Sequence, residues 1–108
     1  MMNNRKIEEL EEAYDQARTV IKRKREEAEW QYRELRMFFE TVTRDAIDEY
    51  THTHENPDPE IIRGGERIFT QYSQASDRSY KKFMAKLDDD EERINAEYRR
   101  SLERAEEE

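Results

Sequence analysis

The stretch Tyr50-Thr-His-Thr-His-Glu-Asn-Pro-Asp-Pro-Glu60 decides the fold. It is the one clear interruption in an otherwise helical pattern. Thr51 and Thr53 are β-branched, and Asn56 and Asp58 each precede a proline, which pushes them away from helical backbone angles. Pro59 suits the first turn of a new helix, with Asp58 as its N-cap. The chain therefore reads as helix, short polar loop over about residues 51–60, and helix. Two helices joined by a short loop run antiparallel, so the expected class is an all-α two-helix hairpin.

On the N-terminal side of the loop, the pattern predicts a helix over about residues 4–50. Ile7, Tyr14, Ile21, Ala28, Leu35 and Val42 fall on one heptad position. Leu10, Ala17, Lys24, Gln31, Phe38 and Asp45 fall on the other. Such a seven-residue repeat marks coiled-coil packing. Ala13, Val20, Tyr32, Phe39 and Ala46 widen the stripe, which suggests more than one neighbouring helix. On the C-terminal side, a helix is predicted over about residues 60–106. One line is Phe69, Tyr72, Ser76, Ser79 and Phe83; a second is Tyr80, Met84, Leu87, Glu91, Ile94, Tyr98, Ser101 and Ala105. The change of line near residues 80–84 is a stutter. Gly64-Gly65 would cost about 2 kcal/mol against alanine in a helix, so a break or kink is expected there.

Composition agrees with this. Ile, Leu, Val and Phe make up 17 of 108 residues, low enough to suggest disorder if the chain lacked periodicity. Twenty basic residues nearly offset 28 acidic ones, and the apolar residues recur at helical spacing, so an ordered helical domain is the better reading. Two glycines and two prolines are too few for a turn-rich β fold. No apolar run is long enough for a membrane span, and Met1–Lys6 is not followed by the apolar core of a signal peptide. Membrane insertion is not expected.

Charge tests the hairpin. With the turn centred near residues 55–56, residue i faces about 111 − i. Lys22-Arg23-Lys24-Arg25 then lies beside Asp88-Asp89-Asp90-Glu91-Glu92, Glu11-Glu12 faces Arg99-Arg100, and Arg5-Lys6 faces Ala105-Glu106. Arg18 opposite Arg93 is the counter-example. Complementary runs of this kind select orientation more than they add stability.

Nine of the 11 aromatic residues lie between Trp30 and Phe83, in the half of the hairpin near the turn. Two helices have only one facing seam, too little to cover them all. Trp30, Tyr32, Phe38, Phe39, Phe69, Tyr72 and Phe83 are therefore the candidate partner-binding residues. The turn-proximal half is expected to complete a three- or four-helix bundle with another chain.

Nothing in the pattern points to catalysis. Both histidines lie in one turn, so no Ser-His-Asp arrangement is available, and there is no cysteine. His52 and His54 with Glu55 and Asp58 have short metal-ligand spacing but lack a further His or Cys. Asp88-Asp89-Asp90 lacks the glycine and spacing of a calcium loop. Gly64-Gly65-Glu66 lacks the lysine of a phosphate loop. No cofactor or metal is expected. Net charge is −8, with −3 over residues 1–54 and −5 over 55–108, so nucleic acid is not an expected partner.

A small, acidic, cysteine-free helical hairpin resembles the accessory proteins of type VII secretion. The Trp-x-Gly turn of its best-known small members is absent, as is Tyr-x-x-x-Asp/Glu. The chain is more similar to the LXG-associated α-helical proteins of Firmicutes type VIIb systems. The likeness rests on a Glu/Arg-rich first helix ending in Met37-Phe38-Phe39, a polar connection, and Gly64-Gly65. Ile68-Phe69-Thr70-Gln71-Tyr72-Ser73-Gln74-Ala75-Ser76 and a Glu/Arg-rich second helix complete it. One type in that family carries Phe-x-x-x-Asp, absent here; the second type is closer. The resemblance implies a non-catalytic adaptor or targeting chaperone. It would bind the helical N-terminal LXG domain of a secreted toxin, alongside a second small helical protein. Its implied location is the cytoplasm, with co-export beside its partner as the variant. The alternative from another class is a self-assembling structural coiled coil, a homodimeric four-helix bundle.

Overall fold

The computed structural model describes residues 4–107. The described chain is all-helical: α1 spans Asn4–Thr53 and α2 spans Pro59–Glu107, paired antiparallel as a hairpin. It divides into two compact units. The outer unit comprises residues 1–27 and 82–108, and the turn unit comprises residues 28–81.

The turn forms as its residues dictate, though the loop is shorter than expected because α1 runs on to Thr53. The last carbonyls of a helix lack intrahelical partners. Here His54 Nδ1 reaches the Tyr50 carbonyl at 2.9 Å, while Thr51 Oγ1 and Thr53 Oγ1 add second bonds to the carbonyls of Ile47 and Glu49, at 2.7 Å each. At the start of α2, the Asp58 carboxylate accepts the Glu60 N–H at 2.9 Å, with Pro59 at the first helical position. The Asp58 N–H in turn donates to the Tyr50 hydroxyl at 3.0 Å, which ties the start of α2 to the end of α1.

Each unit carries the same pinning device. In the outer unit, Tyr14 stacks on Tyr98 with ring centroids 4.1 Å apart, and its hydroxyl donates to the Asn95 side chain. In the turn unit, Tyr32 stacks on Tyr80 at 4.4 Å, and its hydroxyl donates to Asp77. The α2 acceptor stands three residues before the stacked tyrosine in both cases. The two copies are 18 residues apart on each helix. A stacked ring plus a directional hydrogen bond fixes register in a way that interchangeable aliphatic contacts do not.

The α1 seam departs from the expected heptad. Ile7, Leu10, Tyr14, Ala17 and Ile21 line it as predicted. The next inward residue is then Arg25, followed by Ala28, Tyr32, Phe39, Thr43, Ile47 and Tyr50. Two successive four-residue steps, Ala17 to Ile21 to Arg25, move the seam by one residue, so α1 has a stutter of its own. Lys24, Gln31, Leu35, Phe38, Val42 and Asp45 are consequently exposed rather than in the seam. The α2 seam follows Tyr80 in the turn unit and Met84, Leu87, Glu91, Ile94, Tyr98, Ser101 and Ala105 in the outer unit. Nearer the turn it follows Ile62, Gly65, Phe69, Ser73 and Ser76, so Tyr72, Ser79 and Phe83 leave it. Among the described residues only Ile21, Leu87 and Ala105 are buried hydrophobics, all in the outer unit.

The expected break at Gly64-Gly65 does not occur. α2 is continuous through both, and neither has a positive φ. Capping at Asp58 and seam contacts on either side outweigh the glycine cost. A Cβ on Gly64 would meet nothing within 4 Å, and one on Gly65 would touch the Ile47 side chain at 3.5 Å, an ordinary contact. Gly64→Ala is therefore expected to stabilise the protein by about 1 kcal/mol, read as a higher denaturant midpoint with an unchanged slope. A lower midpoint would mean that the site needs glycine for its own fold.

Candidate protein-docking face

In the outer unit, the predicted match of the basic run to the acidic run is realised at Arg25. One Arg25 guanidinium nitrogen sits 2.6 Å from Asp88 and 2.9 Å from Glu91. The hydrogen bonds to Asp88 and then Glu91 hold the guanidinium more firmly protonated than usual. Among the described residues Glu11 and Glu12 form no ion pair with Arg99 or Arg100, and Arg5 pairs instead with Glu9 on its own helix at 3.6 Å. The Arg18–Arg93 clash is avoided locally: Arg18 lies over the Tyr14 ring at 5.5 Å, and Arg93 pairs with Asp90 at 3.1 Å.

The turn unit has two unlike sides. With about 100° between successive residues, Leu35, Phe38 and Val42 lie about a sixth to a third of a turn from the α1 seam, all in the same direction. On α2, Ile61, Ile68 and Tyr72 lie about as far from their seam, in the same rotational sense. Because the helices are antiparallel, equal sense puts both groups on one side of the pair. Ring contacts bridge the two helices there: Phe39 lies 6.0 Å from Phe38 and 5.4 Å from Tyr72, centroid to centroid. All six side chains are substantially exposed, Phe38 by 60% and Tyr72 by 56%. Between Ile61 and Ser79 this side of α2 carries no charge, because Arg63, Glu66, Arg67, Asp77 and Arg78 all fall elsewhere on the helix.

The opposite side is polar. A shallow groove over Ile47 and Phe69 is walled by Glu40, Thr43, Arg44 and Asp48. Arg36 also belongs there and donates to the Tyr32 hydroxyl at 3.2 Å.

The seven aromatic candidates are thus divided. Tyr32, Phe39 and Phe69 are half-buried in the hairpin's own seam, although Phe39 also borders the apolar side. Phe38 and Tyr72 stand on that side. Trp30 is 59% exposed but on the outward back of α1, with Met37 one heptad on. Phe83 is exposed in the outer unit. The sequence reading missed Leu35, Val42, Ile61 and Ile68 as surface residues. The signal was present: after Lys24 the second heptad column turns polar at Gln31 and Asp45, which betrays the change of seam.

The two histidines serve the helix end. His52 Nδ1 lies 2.6 Å from the Asp48 carbonyl and His54 Nδ1 lies 2.9 Å from that of Tyr50. A carbonyl only accepts, so Nδ1 carries the proton in each. Among the described residues no group of three or more His, Asp or Glu side chains is placed to hold a metal ion. None of the described helices is long and apolar enough to cross a membrane.

Two tyrosines report on the seam. The hydrogen bond to Asp77 raises the Tyr32 pKa, and burial followed by nearby Glu11 and Asp15 raises that of Tyr98. A raised phenol pKa means that the folded chain favours the neutral ring. That stabilisation is complete below the ordinary tyrosine value of about 10 and is lost as pH rises through the folded-state values. In a spectrophotometric titration, Tyr32 and Tyr98 are expected to ionise later than free tyrosine, and Asp77→Ala to bring Tyr32 back toward it. An unshifted Tyr32 in Asp77→Ala would refute the hydrogen bond as the cause.

The chain matches no protein-family model, no curated protein and no solved structure.

Proposed function

We propose that this protein is a non-catalytic adaptor whose turn unit docks a helical partner on its apolar side. The supporting observation is one-sidedness. In a chain that is 44% charged, one side of α2 is uncharged from Ile61 to Ser79 and lies beside Leu35, Phe38 and Val42. An exposed apolar stripe on two adjacent helices accommodates a third helix, or two, by bundle packing. Burial of these side chains would supply the binding energy, at roughly 25 cal/mol per Å² of apolar surface before the costs of association. The resemblance to LXG-associated proteins makes the helical N-terminal LXG domain of a secreted toxin the partner to test, with the hairpin acting as a targeting chaperone for it.

The direct experiment is co-purification and calorimetry of the chain with an isolated LXG domain. A heteromeric complex of fixed stoichiometry supports the reading. A chain that instead forms a discrete homodimer, with no affinity for the domain, would favour the structural coiled coil.

A further inference from the structure

We infer that the helix received by the apolar side belongs to a different chain and carries a basic flank along the edge that abuts α1. The inference rests on the adaptor reading and specifies its partner's chemistry. Charge on α1 is sorted across the turn unit. Glu34, Asp45 and Glu49 edge the apolar side, while Arg33, Arg36 and Arg44 all fall on the polar side, with Glu29, Glu40 and Asp48 among them. Among the described residues the carboxylates of Glu34, Asp45 and Glu49 enter no ion pair, and all three residues are exposed. The α2 edge of the same side is uncharged. A helix lying against Leu35, Phe38, Val42, Ile61, Ile68 and Tyr72 therefore meets acid on one flank and neutral surface on the other. Lysines or arginines on the α1-facing flank complement it and also fix the direction of the incoming helix.

A second copy of this chain fits poorly. A two-fold dimer through the apolar side brings the acidic edge against another acidic edge or against the uncharged edge of α2, because the arginines of α1 lie on the far side. Neither arrangement gives Glu34, Asp45 and Glu49 a cationic partner.

The test uses the full chain and two synthetic amphipathic helices with the same apolar stripe, one flanked by lysine and the other by glutamate. The lysine-flanked peptide is expected to bind about tenfold more tightly, a preference that salt diminishes and that Glu34→Lys, Asp45→Lys and Glu49→Lys together invert. Circular dichroism of the triple variant checks that the exposed substitutions leave the helices intact. Equal affinity for the two peptides, or no binding of either, overturns the inference. A self-dimer abolished by Phe38→Asp overturns it as well, since the second copy is then the occupant. The LXG domain is assayed in parallel. Its failure beside a bound lysine-flanked peptide removes the toxin assignment and leaves the basic-flank inference standing.

Discussion

Leu87→Ala is expected to destabilise the outer unit by about 2–3 kcal/mol, the lower part of the range for buried leucines. Leu87 is 2% exposed and belongs to a core of three buried hydrophobics among the described residues, with Ile21 and Ala105. Removing it deletes one of the few large apolar side chains withdrawn from water, and leaves a gap in the seam. Two facing helices close over such a gap more readily than a globular core does, which keeps the cost below the upper end of the range. For a domain of this size the shift is on the order of 10–20 °C in the thermal midpoint. The measurement is a thermal melt followed by circular dichroism, with Phe83→Ala as a control in the same unit, since Phe83 is exposed. If the two units melt separately, the shift falls on one transition only. A change within about 0.5 kcal/mol, the size of an ordinary surface substitution, would show that this seam does not hold the outer unit.

Phe38→Asp is expected to do the reverse: to abolish partner binding and leave the fold nearly unchanged. Phe38 is 60% exposed and touches Phe39 at the edge of the seam rather than filling it, so its loss costs the free chain little. In the proposed complex the same position would be central, between Leu35 and Val42 on α1 and on the side of the hairpin that carries Tyr72. An aspartate there would be buried without a cationic partner, against a partner surface shaped for an aromatic ring. Loss of an aromatic anchor costs about 2 kcal/mol or more at such interfaces, and the unpaired carboxylate adds to it, for a total weakening of roughly a hundredfold or greater. Calorimetry against the partner domain reads the effect, and a melt of the free variant shows whether the fold survives. Trp30→Asp is the matched control: equally exposed, on the back of α1, it should leave binding intact. If Trp30→Asp abolishes binding while Phe38→Asp does not, the docking face is the back of α1.

Much of the architecture is legible in the residues. The prolines after Asn56 and Asp58 mark the loop, and Asp58 caps α2 as its side chain allows. Tyr14, Ile21, Leu87 and Tyr98 fall on the seam because apolar periodicity alone places them there. The charge runs set the right orientation, although only Arg25 of the basic run turns its charge into a cross-helix pair with Asp88 and Glu91. The helix through Gly64-Gly65 was not legible, because local propensity argues for a break, and contacts made elsewhere on α2 override it.

Sequence by itself thus determined the class, the antiparallel pairing and the position of the turn, since these follow from local backbone preferences and from a repeat that any helix must express. Which aromatic residues are spent inside the hairpin, and which are left on its surface, was decided only by the tertiary structure. The physical reason lies in the stutter at Ala17, Ile21 and Arg25. Moving the second column on by one residue, from Gln31 and Phe38 to Tyr32 and Phe39, brings those two rings inward and leaves Leu35, Phe38 and Val42 on the surface. Periodicity along one helix cannot select between these outcomes, because the choice depends on which α2 side chains stand opposite. Tyr80 and Asp77 hold Tyr32 in the seam, and Tyr72 meets Phe39 at its edge.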